Sequence, residues 1–321
     1  MMRLKMIKEY YKVKSVKEAI DLKLQYGEKA MFLAGGTDVI VGLKNKKWNP
    51  EVLISLNEIP GLSYIREENG YLKIGALTTH REIEKSILIE GKIGALMDAV
   101  RNLGSVQIRN VATIGGNLCN AAPSADTAPP LLVHNAMITL EGKQERRSLP
   151  LEEFFLGPGK TAKKEDELLM EISLPIPPKT AKSAYWKHTR RAALELPIIG
   201  VAMYLDVELV KYGKLQQVFD SPDSTWDDQS RALNESEILC KELRLALGVA
   251  APIPLKVKEL EGIVNGKRLN DQLLWEVTDS ALQKAQVRDS WRGVAWYRKE
   301  MIEVLTKRLA LICLRRILKE V

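Results

Sequence analysis

The chain has 321 residues and a formal net charge of +7, with 45% hydrophobic and 28% charged residues. That length can bury two or three cores, and the composition is that of a globular protein rather than a disordered or fibrous one. No run approaches the roughly 18 apolar residues of a membrane helix, and the opening Met1-Met2-Arg3-Leu4-Lys5-Met6 lacks the apolar segment of a secretory leader, so neither membrane partner nor secretion is expected. Cys119, Cys240 and Cys313 are isolated, which suits a reducing cytoplasm and excludes a Cys-x-x-Cys cluster motif. The basic residues are scattered among acids without interleaved aromatics, so nucleic acid is not an expected partner. Likewise His80, His134 and His188 are too dispersed to suggest a metal site.

Residues 1–55 read as a small α/β unit. Ser15–Tyr26 places Val16, Ala19 and Ile20 at helical spacing, with Ser15 and Glu18 as a capping box and Gly27 as the stop. A buried strand over Ala30–Ala34 runs into Gly35-Gly36, a helix spans Asp38–Lys44, and Glu51–Ser55 is a second strand. Residues 56–175 read as a larger unit with mixed strand pairing. Strands are expected at Tyr71–Ile74, Ala76–Thr78, Val111–Ile114, Ala136–Leu140 and Glu167–Leu174. Thr79 and Glu82 open a helix as a capping box, and an apolar helix over Ile93–Leu103 stops at Gly104.

Pro175, Pro177 and Pro178 mark a boundary, since three prolines exclude helix and central strand. Beyond it, residues 183–321 read as a C-terminal α+β domain. Strands Ser183–Tyr185, Ile198–Leu209 and Leu243–Leu247 would form a three-stranded antiparallel sheet against long amphipathic helices over Leu269–Ala285 and Val294–Leu318. Lys211–Lys241 is polar and without period, as an exposed, partly mobile excursion would be. Trp291, Trp296 and Tyr297, at near-helical spacing, are assigned to core. The fold class is α+β.

Two segments carry the chemistry. Leu33-Ala-Gly-Gly-Thr-Asp38 and Thr113-Ile-Gly-Gly-Asn117 each present adjacent glycines after an apolar run. Glycine tolerates positive φ and lets a ligand approach the backbone, and successive free N–H groups make a concave anion site. Two such loops suggest a grip on one pyrophosphate. Asp126 is either an acceptor for sugar hydroxyls or a helix N-cap before Thr127-Ala-Pro-Pro. Arg109 and Asn110 are either turn residues or pocket lining. Cys119 reads as a small buried hydrophobe, and His80 as a helix-start residue.

The pair Leu-Ala-Gly-Gly-Thr-Asp and Gln107-Ile-Arg-Asn-Val-Ala-Thr-Ile-Gly-Gly-Asn117 resembles the FAD-binding (medium) subunit of molybdenum hydroxylases, the family of xanthine dehydrogenase and aerobic carbon monoxide dehydrogenase. The resemblance implies a two-subdomain FAD-binding domain (1–55 and 56–175) followed by the C-terminal domain. It places the first pyrophosphate loop on Leu33, Ala34, Gly35, Gly36, Thr37, Asp38, Val39 and Ile40, and the second on Thr113, Ile114, Gly115, Gly116 and Asn117. It gives Asp126 of Ser-Ala-Asp the ribityl or ribose hydroxyls, sets Leu103 and Leu169 against the isoalloxazine, and sets Lys187 near that ring. It implies noncovalent FAD, since no His or Cys occupies a family attachment position. Molybdenum cofactor and [2Fe–2S] clusters would sit on a large and a small partner subunit, with electrons leaving through FAD to NAD or another acceptor. Gly157-Pro-Gly-Lys160 and Leu245–Pro254 resemble the xanthine dehydrogenase branch, which implies a purine substrate. A carbon monoxide dehydrogenase or N-heterocycle hydroxylase subunit is the alternative. A flavin-free assembly subunit and a free-standing NAD-linked flavoprotein are the other possibilities, the latter disfavoured by the lack of a second dinucleotide fingerprint.

Overall fold

A computed structural model describes residues 7–320. By compactness the chain divides into one unit of residues 7–86, 104–122 and 135–175, and another of 87–103, 123–134 and 176–320. This partition departs from the sequential boundaries 1–55, 56–175 and 183–321, because two segments of the middle region pack with the C-terminal body.

In the first unit β1 (Glu9–Lys12) and β2 (Ala30–Leu33) both pair in parallel with β3 (Val52–Ser55), in the order β1-β3-β2. All four residues of β3, Val-Leu-Ile-Ser, are buried, as a central parallel strand requires. The crossover from β1 to β2 is the helix Val16–Tyr26. Ser15 Oγ accepts the Glu18 N–H at 3.1 Å, but the Glu18 carboxylate accepts from Lys14 N–H, one residue before the cap. The cap is therefore present, and the reciprocal half of the box is displaced by one residue.

The second sheet has the order β4-β5-β10-β6-β7, with β4 at Ile65–Glu68, β5 at Tyr71–Gly75, β6 at Met137–Glu141, β7 at Arg146–Pro150 and β10 at Leu168–Pro175. A small hairpin, β8 (Phe155–Gly157) with β9 (Lys160–Thr161), precedes β10. Every pairing in the five-stranded sheet is antiparallel, which corrects the expectation of mixed pairing. Two expected strands are absent. Ala76–Thr78 is a turn and loop, and Val111–Ile114 leads into a helix, Ile114–Asn120. Apolar runs this short do not separate strand from buried turn; here the backbone groups of both segments bond to each other.

The second unit is built on β11 (Ala181–His188), β12 (Ile199–Lys211), β13 (Glu237–Gly248) and β14 (Leu255–Val257), an antiparallel meander in chain order. It has four strands rather than three; β14 is too short to show a period. Helices Asp271–Lys284 and Ala295–Leu318 bury Leu274, Val277, Ile302, Leu309 and Leu314 in one core with Val201, Met203 and Leu245 of the sheet. The expected excursion is not one: residues 213–220 and 226–235 are helices, and Leu215, Leu233 and Ile238 are fully buried in that same core. Thr225 and Asp228 close a full capping box, and the polar majority of the segment is its solvent face. Trp291 and Trp296 are 73% and 68% exposed, so the assignment of both to core is also wrong. Trp291 precedes the long helix, and only Tyr297 turns inward, its hydroxyl 2.9 Å from His188 Nε2.

Candidate functional site

Both glycine loops belong to the first unit, and they touch. At Gly35 a Cβ would lie 1.8 Å from the Val111 carbonyl oxygen, and at Gly116 it would lie 4.0 Å from Ala34 Cβ. Gly36 has φ +75°, the left-handed region that favours glycine, and its carbonyl accepts the Ile40 N–H to start the helix Val39–Lys44. Asn57 Nδ2 donates to the Ala34 carbonyl at 3.3 Å and holds the loop from beneath. Among the described residues no protein acceptor takes the N–H of Gly36, Thr37 or Asp38. These groups, like the Gly35 N–H, are unspent donors of the loop.

The second loop works differently from its sequence reading. Gly115 and Gly116 are not a left-handed turn; they are helical residues capped by Thr113. Their N–H groups are already used: Ile114 donates to Thr78 O (3.0 Å), Gly115 to Ala76 O (2.9 Å), Gly116 to Thr113 Oγ1 (3.1 Å) and Asn117 to Thr113 O (3.0 Å). Gly115 is glycine because a Cβ would meet the Ala76 carbonyl at 2.6 Å. The loop is thus a wall beside the first whose backbone amides are already spent. Arg109 takes the structural alternative: buried, it grips the Glu84 carboxylate with Nε at 2.9 Å and Nη2 at 3.2 Å, tying together the helices Val106–Arg109 and His80–Glu84. His80 does start its helix, but it is also fully buried with both ring nitrogens unpartnered, and burial with the nearby Arg109 charge holds its pKa down to about 4. Leu169, on β10, is 7% exposed. Cys119 is partly exposed, and desolvation pushes its thiol up to about 11.

In the second unit, Asp126 and Lys187 find each other. Lys187 Nζ lies 2.8 Å from Asp126 Oδ2, both side chains being about 95% buried, and also donates to the Asn102 carbonyl at 3.1 Å. The Tyr185 hydroxyl donates to Asp126 Oδ1 at 3.0 Å. Burial raises the Asp126 pKa, opposed by the Lys187 charge and its hydrogen bond; burial, then the same carboxylate, raises that of Tyr185. Asp126 does not cap the following helix, whose N-cap position is Thr127, and the Thr127 side chain makes no capping hydrogen bond to it. Lys187 is neither a surface lysine nor an isolated cation. Leu103, 8% exposed, follows the helix Gly94–Arg101. A cavity of about 530 Å³ opens alongside, lined by Asn102, Lys187, His188, Arg190, Glu195 and Arg316 among others. Tyr185, Asn102 and Asn57 were missed by sequence reasoning; each acts on a residue far away in the chain, and no local spacing marks it.

Residues 4–177 match the FAD binding domain in molybdopterin dehydrogenase, and residues 232–312 the CO dehydrogenase flavoprotein C-terminal domain. The chain is 31% identical over 302 residues to the xanthine dehydrogenase FAD-binding subunit of Escherichia coli O157:H7, covering 94% of each. It is 28% identical over 300 residues to the carbon monoxide dehydrogenase medium chain of Hydrogenophaga pseudoflava, again covering 94% of each. A carbon monoxide dehydrogenase structure from that organism superposes with a TM-score of 0.82 at 28% identity, over 96% of this chain and 97% of the other. The α+β scaffold is that of a flavoprotein component of an oxidoreductase. The chain belongs to the family of FAD-binding subunits of molybdenum hydroxylases. No helix among the described residues is long and apolar enough to cross a membrane.

Proposed function

We propose that this chain is the electron-handling subunit of a xanthine dehydrogenase-like molybdenum hydroxylase in the cytoplasm. A large subunit with molybdenum cofactor and a small subunit with [2Fe–2S] clusters are its proposed partners, and NAD or another acceptor takes the electrons. FAD, when bound, supplies the redox chemistry.

The observation that carries this reading is the abutment of the two glycine loops. It leaves the N–H groups of Gly36, Thr37 and Asp38 free beside the wall of the second loop, and a diphosphate is the anion such donors suit. In the first unit the proposed cofactor contacts are Leu33–Ile40, Thr113–Asn117 and Leu169; in the second they are Leu103, Asp126 and Lys187. An ionised Asp126, with one partner on each oxygen, keeps lone pairs for a ligand hydroxyl, and Lys187 keeps one donor. The proposed functional domains are 1–55 and 56–175 for FAD and 183–321 beyond. The substrate proposed is a purine. The similarity to the carbon monoxide dehydrogenase medium chain favours that enzyme's flavoprotein as the second reading.

Purification with a visible spectrum tests the cofactor, and native copurification tests the assembly. Flavin absorbance, with two further subunits carrying molybdenum and iron, is expected. A colourless, folded protein that cannot be loaded with FAD would count against the reading.

A further inference from the structure

The helix that follows the first glycine loop is held at one point. Of its six residues, Val39–Lys44, only Gly42 is buried, while Ile40 and Val41 are 41% and 54% exposed. A helix this short is marginal in water, so a tertiary contact has to hold it. That contact is the Trp48 indole. A Cβ added to Gly42 would lie 2.1 Å from both Cε3 and Cζ3 of Trp48, so the ring sits directly on the glycine backbone. Any larger residue at position 42 would displace it.

The backbone after the helix folds back to deliver that ring. The Lys47 N–H donates to the Gly42 carbonyl at 2.8 Å and the Lys46 N–H to the Leu43 carbonyl at 3.1 Å, the paired bonds of a Schellman turn. Lys46 takes the left-handed corner at φ +57°, where glycine is usual. The Lys47 ammonium lies over the Trp48 ring, 4.4 Å from its centre, and holds the indole in place. At the other end of the helix the Gly36 carbonyl accepts the Ile40 N–H at 2.9 Å and the Asp38 carbonyl accepts the Gly42 N–H at 2.8 Å. Gly42 is thus the residue through which the indole reaches the loop: its N–H is bonded to Asp38 and its carbonyl to Lys47.

We propose that Trp48 is a positioning residue for the diphosphate loop, setting Gly36–Asp38 by pinning Gly42, an inference that rests on the FAD reading above. The indole acts through Gly42 and not on the ligand. It fixes the helix into which the loop runs, and with it the direction of the loop's unspent N–H groups. Donors held in place before binding need no ordering when the anion arrives. Loss of the indole therefore shows as weaker FAD binding and a changed diphosphate environment.

The test is a double-variant cycle on the full-length chain with FAD as the ligand: Gly42→Ala, Trp48→Ala and the two combined, with Trp48→Phe as the conservative variant. Gly42→Ala raises helix propensity while its methyl group pushes the indole away, so helix stability and the Trp48 contact pull in opposite directions. Gly42→Ala and Trp48→Ala are each expected to raise the FAD dissociation constant about tenfold. The double variant should bind no more weakly than Trp48→Ala alone, because no ring is left to displace. Trp48→Phe, which keeps a ring over Gly42, should retain most of the affinity. Phosphorus NMR of bound FAD reads the diphosphate itself: its resonances should move in Gly42→Ala and stay in Trp48→Phe, whereas a role in stability alone would leave both unmoved. A Gly42→Ala chain that binds FAD as tightly as the wild type overturns the proposal, and this arm holds even if Trp48→Ala fails to fold. Losses that add in the double variant overturn it too. A wild-type chain that takes up no FAD overturns the proposed function as well, which separates the two failures.

Discussion

Alanine at Gly35 is the sharpest probe of the cradle. Its methyl carbon would sit 1.8 Å from the Val111 carbonyl oxygen. Carbon–oxygen contacts settle near 3.3 Å, so the loops must part by about 1.5 Å. Overpacking of this kind costs about 1–3 kcal/mol, which lowers melting by about 2–12 °C for a unit of this size. Parting also moves the Gly36–Asp38 amides away from the Thr113 wall. Losing one charge-assisted hydrogen bond of about 1.5–3 kcal/mol weakens FAD by about tenfold to a hundredfold. Flavin content after gel filtration, equilibrium titration of apoprotein with FAD, and calorimetric melting measure these effects. Gly91→Ala is the control, because a Cβ there meets nothing within 4 Å. A Gly35→Ala protein with wild-type FAD affinity and melting would show that the close approach of the loops does not shape the site.

Three further outcomes follow from the buried groups. Lys187→Met strands the Asp126 carboxylate with only the Tyr185 hydroxyl and is expected to cost about 3–5 kcal/mol, while Asp126→Asn/Lys187→Met recovers much of it; a double variant no more stable than the single one defeats this account in a thermal melt. His80, held neutral with its pKa near 4, gives the folded state fewer protons than the unfolded chain below pH 6.5. Stability is therefore kept above that pH and lost on acidification, by about 3 kcal/mol at pH 4, and a His80→Phe variant with the same acid slope in denaturant titrations refutes the assignment. Leu233→Ala should cost about 2–5 kcal/mol; a loss below about 0.5 kcal/mol restores the mobile-surface reading of residues 211–241.

Much of the local architecture was legible because it obeys rules that act over three or four residues. Ser15, Thr79 and Gly27 end helices where the sequence puts those ends, and the prolines at 175, 177 and 178 fall between β10 and β11. The glycine pairs were legible as motifs of a flavoprotein family, and the family match bears that out. Their separate jobs were not. A sequence shows that Gly115 and Gly116 lack side chains, but only packing shows that the Ala76 carbonyl occupies the space and that their amides are spent.

The same limit explains the remaining errors. The polar 211–241 segment hides an apolar stripe on each of its two helices, which has meaning only once the core they join exists. Trp291 and Trp296 have the spacing of core residues, yet nothing in the chain folds over them. Asp126 and Lys187 are 61 positions apart, and each alone reads as an ordinary polar residue. What the sequence settled by itself was the set of helix caps, the main strands and the family; what tertiary structure decided was which amides stay free, which charges neutralise each other and which aromatics stay wet. The reason is physical: caps and turns are satisfied by neighbours along the chain, whereas burial and ion pairing depend on groups that only chain closure brings together.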